Sequence, residues 1–241
     1  TSRPLHPEFI KSIVILKKAA ALTNENAGEL SSEVSEAICT ACNEILEGKL
    51  FDQFIVDAIQ GGAGTSANMN MNEVIANRAG EILGCPKGSY KMVHPNDHVN
   101  MAQSTNDVIP TAGKLTVLDL LAPLEKALVR LEKELAKKAE EFDDVITMGR
   151  TQLQDAVPIR LGQVFHGYAS MVSRDRKRIK KAHREMYTVN LGGTAVGTAI
   201  NVSDSYFYKI VPNLEKLTGY PLKQAEDLFD ATENLDGFVA V

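Results

Sequence analysis

The sequence predicts an all-α, mainly helical fold, with a helical N-terminal domain followed by the first part of a long-helix bundle. Three observations carry that expectation. Apolar residues recur at three- and four-residue spacing along most of the 241 residues, and a hydrophobic content of 44% is enough to bury a core. After Val117, leucines at 121, 124, 128, 131 and 135 repeat the a/d spacing of a bundle seam. Three short polar stretches, around Thr65, Ser104 and Thr151, each precede a run with helical spacing.

Taken in order, Phe9, Ile10, Ile13, Val14, Leu16 and Ala20, with Lys11, Lys17 and Lys18 between them, predict an amphipathic helix over residues 7–23 begun by Pro7. A second helix is expected over 32–47, capped by Ser32, with Glu33 and Glu36 in its first turn and Gly48 as its stop. Val74, Ile75, Ala79, Ile82 and Leu83 give a third, ending at Gly84-Cys85-Pro86. Ser104 to Asp107 open the tract that holds the leucine seam, with Pro110 in its first turn and a kink expected at Pro123. At roughly 1.5–3 kcal/mol per fully buried leucine, that seam needs a partner. Pro158 reads as the start of another long helix to about Tyr187, and Tyr206 to Leu217 as a further one, stopped by Gly219 and Pro221. The first domain is expected over residues 1–106 and the second over 107–241.

The formal net charge of −5 argues against nucleic-acid binding, which needs a basic surface to displace counterions from phosphates. No apolar run reaches the roughly 18–20 residues of a membrane span, and no signal-peptide pattern follows Thr1, so a cytoplasmic location is expected. Three cysteines fit a reducing compartment, and Cys39-Thr-Ala-Cys42, inside a helix, reads as small core side chains rather than a redox or zinc pair. The histidines of Val93-His94-Pro95-Asn96-Asp97-His98 match no usual zinc spacing, and Asn96 and Asp97 are expected to cap a helix, so no metal site is read here. Basic residues from Arg174 to Arg184 lack interleaved aromatics and read as a solvated or intersubunit helix face. Gly192 to Thr198 fits no phosphate-loop pattern and reads as close backbone packing. The chain stops at Val241 inside an apolar run, which suggests a piece of a longer protein.

The polar stretches hold the chemistry. Gly61, Gly62 and Gly64 let the backbone approach a ligand, while Thr65, Ser66, Ser104, Thr105 and Thr151 offer neutral donors at helix entrances, suited to carboxylate oxygens. Three such entrances point to one shared anion site.

The segments GGAGTSANMNMNE, HPNDHVNMAQSTND, MGRTQLQDAVP and LGGTAVGT, in this order, resemble the aspartase/fumarase superfamily of lyases along almost the whole chain. Within it the chain looks closer to the aspartase branch. Gly64-Thr65-Ser66 stands where fumarases have Gly-Thr-Gln, Gln152 stands where they have His, and Ala225 to Thr232 is similar to the aspartase segment. The resemblance implies ammonia elimination from aspartate to give fumarate. It places a substrate-binding set at Thr65, Ser66, Ser104, Thr105, Asn106, Thr151 and Gln152, with Ser104, Thr105 and Thr151 the catalytic members. Thr65, Ser104 and Thr105 would hold the carboxylate that becomes an enediolate, Asn106 the amino group and Thr151 the other carboxylate. His94, Asn96 and Asp97 correspond to a secondary dicarboxylate site of fumarases. No cofactor is implied, with divalent-metal activation left open, and the superfamily builds its sites from three subunits of a homotetramer. The family's base, a Ser in a Gly-Ser-Ser-x-Met-Pro-x-Lys-x-Asn-Pro loop, has no counterpart here, so the chain alone is expected to be inactive. A fumarase-like hydratase and a non-catalytic helical assembly module stay open as alternatives.

Overall fold

The computed structural model describes residues 3–241, and they form two compact units. The first contains the chain up to Val117 together with Met186–Ala240; the second is Leu118–Glu185. One long helix runs through both.

The first unit is a helical layer built on α1 (Pro7–Asn26), α2 (Ser32–Leu46) and α3 (Thr65–Ile82), with the start of α4 (Thr105–Glu141). Pro7 does occupy the first turn of α1, and the His6 ring caps it by accepting from the Glu8 N–H. The cap of α2 is Ser31, not Ser32: its side chain accepts from the Val34 N–H, and Ser32 is already helical. Gly48 follows α2 with a left-handed φ of 95° and α3 ends at Leu83-Gly84, as the sequence predicts. Ile13, Val14, Ile38, Ala41, Ile45, Ile75, Ala79, Val108 and Ala112 are fully buried, and α1 packs against α2 and α7 (Ile210–Thr218). Cys42 belongs to this core and burial pushes its thiol up, which makes it inert; the cysteines are free.

Pro110 lies in the second turn of α4 rather than its first. It cannot donate to the Asn106 carbonyl, which accepts instead from the Asn190 amide at 2.9 Å. The helix passes Pro123 as one element. The stretch expected as a single helix at 206–217 is two: α6 (Asp204–Phe207) and α7, interrupted at Tyr208-Lys209. Before α6, β3 (Thr188–Val189) pairs in parallel with β4 (Lys223–Gln224). Helices α8 (Leu228–Glu233) and α9 (Asp236–Ala240) follow.

The second unit corrects the largest error of the sequence reading. Pro158 does not open a helix. Ile146–Thr151 and Gln154–Arg160 are antiparallel strands β1 and β2, with Pro158 opposite Met148, and α5 (Leu161–Ala182) begins only afterwards. In a two-stranded hairpin each strand is an edge, so a proline is tolerated where a central strand would reject it. The Arg160 N–H then donates to the Gln163 side chain at 3.0 Å, closing the first turn of α5. Arg176 of α5 pairs with Glu132 of α4, and the rings of Phe142 and Phe165 lie 5.5 Å apart. On α4 the seam stays open in this chain: Leu124 and Leu131 are 43% and 48% exposed, although Leu121 is buried. Among the described residues no helix is long and apolar enough to cross a membrane, and no three His, Cys, Asp or Glu cluster as a metal site.

Candidate active site

The starts of α3 and α4 meet in the first unit. Gly64, just before α3, has φ 87°, and a Cβ there would lie 2.9 Å from two side-chain carbons of Ile109, so only glycine permits this approach. No side chain caps α3; the Thr65 N–H donates to the Gly62 carbonyl at 3.0 Å, and Thr65 and Ser66 are exposed. The side-chain amide of Asn68, one turn on, donates to Thr105 Oγ1 at 3.0 Å and so ties the two helix starts together.

The α4 entrance is closed on itself. The Ser104 N–H donates to Asp107 Oδ1 at 2.9 Å and the Ser104 hydroxyl accepts from the Asn106 N–H at 3.2 Å, a reciprocal cap. The other Asp107 oxygen accepts from the Gly192 and Thr194 N–H groups at 3.1 and 3.0 Å. Asp107 thereby fastens the 190–197 loop to the helix start, and Asn106 adds a 2.7 Å bond to the Ala195 carbonyl. Burial raises the Asp107 carboxyl to about 6, against the pull of these three N–H groups.

Beneath Thr105 runs a buried polar network. The Lys17 ammonium, fully buried, donates to Asn100 Oδ1 at 2.9 Å and to Gln103 Oε1 at 3.0 Å. Asn100 Oδ1 also accepts from the amides of Asn68 and Asn72, each at 3.2 Å. Burial lowers Lys17 to about 7, partly offset by the charge of Asp107. Asn68 Oδ1 and Asn72 Oδ1 are buried with no partner among the described residues, at a cost of about 1–3 kcal/mol each.

Beside these residues opens a cleft of about 650 Å³ lined by Ala63, Thr105, Asn106, Ile109, Thr232 and Phe238 among others. Of the residues singled out in the sequence, Thr105 and Asn106 line it; Ser104 directly precedes Thr105, and Thr65 lies two residues beyond Ala63, which also lines it. Thr151 and Gln152 belong to the second unit. They are not at a helix entrance: the β1–β2 turn is Gln152-Leu153, with φ 46° and 63°, the left-handed pair of a two-residue hairpin turn. Both are exposed there.

At the fumarase-like secondary segment, His94 rather than Asn96 or Asp97 makes the cap. Its Nδ1 accepts from the Asn96 and Asp97 N–H groups at 3.3 and 3.2 Å, heading a turn over Pro95–Val99. The Asp97 carboxylate is also 3.2 Å from that nitrogen, an ion pair that forms only when the ring is protonated and the two N–H bonds are given up. His98 Nδ1 accepts from the His94 N–H at 2.8 Å. The residues that sequence reasoning passed over are Lys17, Asn68, Asn100 and Asn190. A lysine on the apolar stripe of the first helix was the one visible signal.

The profile of a lyase family matches residues 2–241. The chain belongs to this lyase family. It is 52% identical over 241 residues to aspartate ammonia-lyase of Bacillus subtilis (strain 168), covering all of this chain and 51% of that protein. Aspartate ammonia-lyase of Escherichia coli (strain K12) is 45% identical over 236 residues, covering 98% of this chain and 49% of its own. Among solved structures, a Brucella melitensis "fumarate lyase:delta crystallin" bound to cobalt superposes with a TM-score of 0.94 at 46% identity, covering 99% of this chain and 52% of its own. A class II fumarase from Schistosoma mansoni follows with a TM-score of 0.91 at 36% identity, with coverage of 98% and 53%. The chain spans about half the length of the curated relatives it matches.

Proposed function

We propose that the complete lyase carrying this chain removes ammonia from L-aspartate to give fumarate. The observation that carries this reading is the 45–52% identity to aspartate ammonia-lyases across essentially the whole chain, with Ser66 and Gln152 in place of the fumarase residues.

The reaction takes a weakly acidic proton from the carbon next to one carboxylate, and that carboxylate then gains charge as an enediolate before the C–N bond breaks. Donors aimed at those oxygens lower the barrier most when the charge appears, and losing one typically costs about 10² to 10³ in rate. Thr65, Ser104 and Thr105 take that role in this proposal, with the uncapped start of α3 adding backbone N–H groups. Asn106 holds the amino group, Thr151 and Gln152 serve the other end of the substrate, and His94, Asn96 and Asp97 form an accessory dicarboxylate site. The base lies outside this chain, because no Gly-Ser-Ser-x-Met-Pro loop occurs in it. The open leucine seam of α4 supports assembly into a homotetramer with shared sites. The cytoplasmic location expected from the sequence accompanies this reading.

The test supplies the complete protein with fumarate and ammonium and identifies the product. Aspartate supports the proposal. Malate would replace it with a hydratase, and neither product would leave the helical assembly module in front.

A further inference from the structure

The hydrogen bonds beneath Thr105 have a direction, and it starts at Lys17. The Lys17 ammonium has only N–H to offer, so the amide oxygen of Asn100 must face it. The carbonyl of Gln103, accepting from Asn100 Nδ2 at 3.2 Å, holds the other side of the same amide. With Asn100 Oδ1 pointed inward, Asn68 and Asn72 can only present their NH₂ groups to it. The NH₂ of Asn68 reaches Thr105 Oγ1 as well, so the threonine oxygen is an acceptor on its buried side. Its own proton is then free for the outer side, where the cleft lies.

We propose that Lys17, acting through Asn100 and Asn68, is a positioning residue that fixes Thr105 as a hydrogen-bond donor to a carboxylate. This rests on the reading of Thr105 as a substrate-binding residue. A second observation points the same way. The arrangement leaves Asn68 Oδ1 and Asn72 Oδ1 buried and unpaired. Were Asn100 released, Asn68 could turn over and satisfy its oxygen with the Thr105 O–H. The hydroxyl would then donate inward, away from any ligand. The network holds Asn68 in the orientation that is poorer for itself and better for the neighbouring hydroxyl. The direction belongs to the ammonium form, which has no lone pair; the Asp107 charge favours that form against the burial that depresses Lys17.

The experiment measures the affinity of the complete protein for succinate, a dicarboxylate that cannot react, in a double-mutant cycle. Thr105→Val should weaken succinate binding, and Lys17→Met alone should weaken it roughly tenfold. In the Thr105→Val background Lys17→Met should change affinity by no more than about twofold, because the hydroxyl it directs is gone. Asn68→Leu is the second arm and should behave alike if Lys17→Met fails to fold. Equal losses in both backgrounds would mean a general structural role and overturn the proposal. Retained affinity in Lys17→Met and Asn68→Leu, with Thr105→Val weakened, would overturn it while leaving the site intact. No effect of Thr105→Val would remove both the site and the relay.

Discussion

Replacing Lys17 by Met should stabilise the protein at neutral pH while it weakens ligand binding. Lys17 falls from 10.5 to about 7 in the folded state. A group depressed in this way makes stability rise with pH between about 7 and 10.5, since only the unfolded chain holds the proton over that range. At about 1.4 kcal/mol per pH unit, the buried amine costs the native state about 4 kcal/mol at pH 7 and about 2 kcal/mol at pH 9. Met removes that cost. It also leaves Gln103 Oε1 without its donor, which costs about 1–3 kcal/mol, whereas Asn100 Oδ1 keeps the two asparagine amides. Loss of the Lys17 charge further raises Asp107, returning part of the gain. The net expectation is about 1–2 kcal/mol in favour of the variant at pH 7, falling to nothing or reversing by pH 9. Thermal midpoints of wild type and Lys17→Met, taken at both pH values on the complete protein, test this. A variant destabilised by the same amount at pH 7 and pH 9 would refute the reasoning, because a depressed buried lysine cannot give a pH-independent difference.

Asp107→Asn keeps one oxygen for the Gly192 and Thr194 N–H groups but turns an NH₂ toward the Ser104 N–H, for a loss of about 1–3 kcal/mol near pH 4. The wild-type carboxyl is raised from 3.8 to about 6, so stability declines as pH rises through that window by about 3 kcal/mol; thermal midpoints of the variant from pH 4 to 7 should lack this slope. Gly197→Ala sets a Cβ 2.5 Å from the Leu228 carbonyl and the Phe229 backbone at φ 86°, and should cost roughly 3 kcal/mol or more, read as lost soluble yield or a lowered midpoint. Thr151→Ala, on an exposed turn, should leave the thermal midpoint within about 1 °C and lower succinate affinity about tenfold; unchanged affinity would take Thr151 out of the proposed site.

Helix periodicity made α2 to α4 readable because each buries a single stripe, and α1 readable although it is buried around most of its circumference; there the sequence reading erred at Ser31 against Ser32, at the start of α3, which is Thr65, and at the position of Pro110. It failed at Met148 to Arg160. Proline next to an apolar run is a helix-start signal, and the same residue is equally at home on the edge of an isolated hairpin; nothing local separates the two. Gln152 and Leu153 gave no warning either, since neither is a residue that favours the left-handed conformation their turn requires. In the candidate site, the outward hydroxyls at 65, 104 and 105 were legible as motif residues. Their supports were not, because Lys17, Asn68, Asn100 and Asn190 come from distant parts of the chain and only the fold brings them together.

A hydroxyl is both donor and acceptor, so a Thr or Ser in a motif does not say which role it offers a ligand. The answer comes from what occupies the oxygen. Ser104 Oγ accepts from the Asn106 N–H and Thr105 Oγ1 from the Asn68 amide, so both hydroxyls are filled as acceptors from the protein side. For a carboxylate that gains charge, this is the arrangement that loses least to reorganisation, because neither proton has to leave a partner first. The lysine at the root of one of these contacts costs stability, and the backbone cap at the root of the other strengthens it. That difference gives the two hydroxyls opposite signatures under mutation. Weakening the Ser104 contact should lower stability and binding together, whereas cutting the Lys17 relay should separate them.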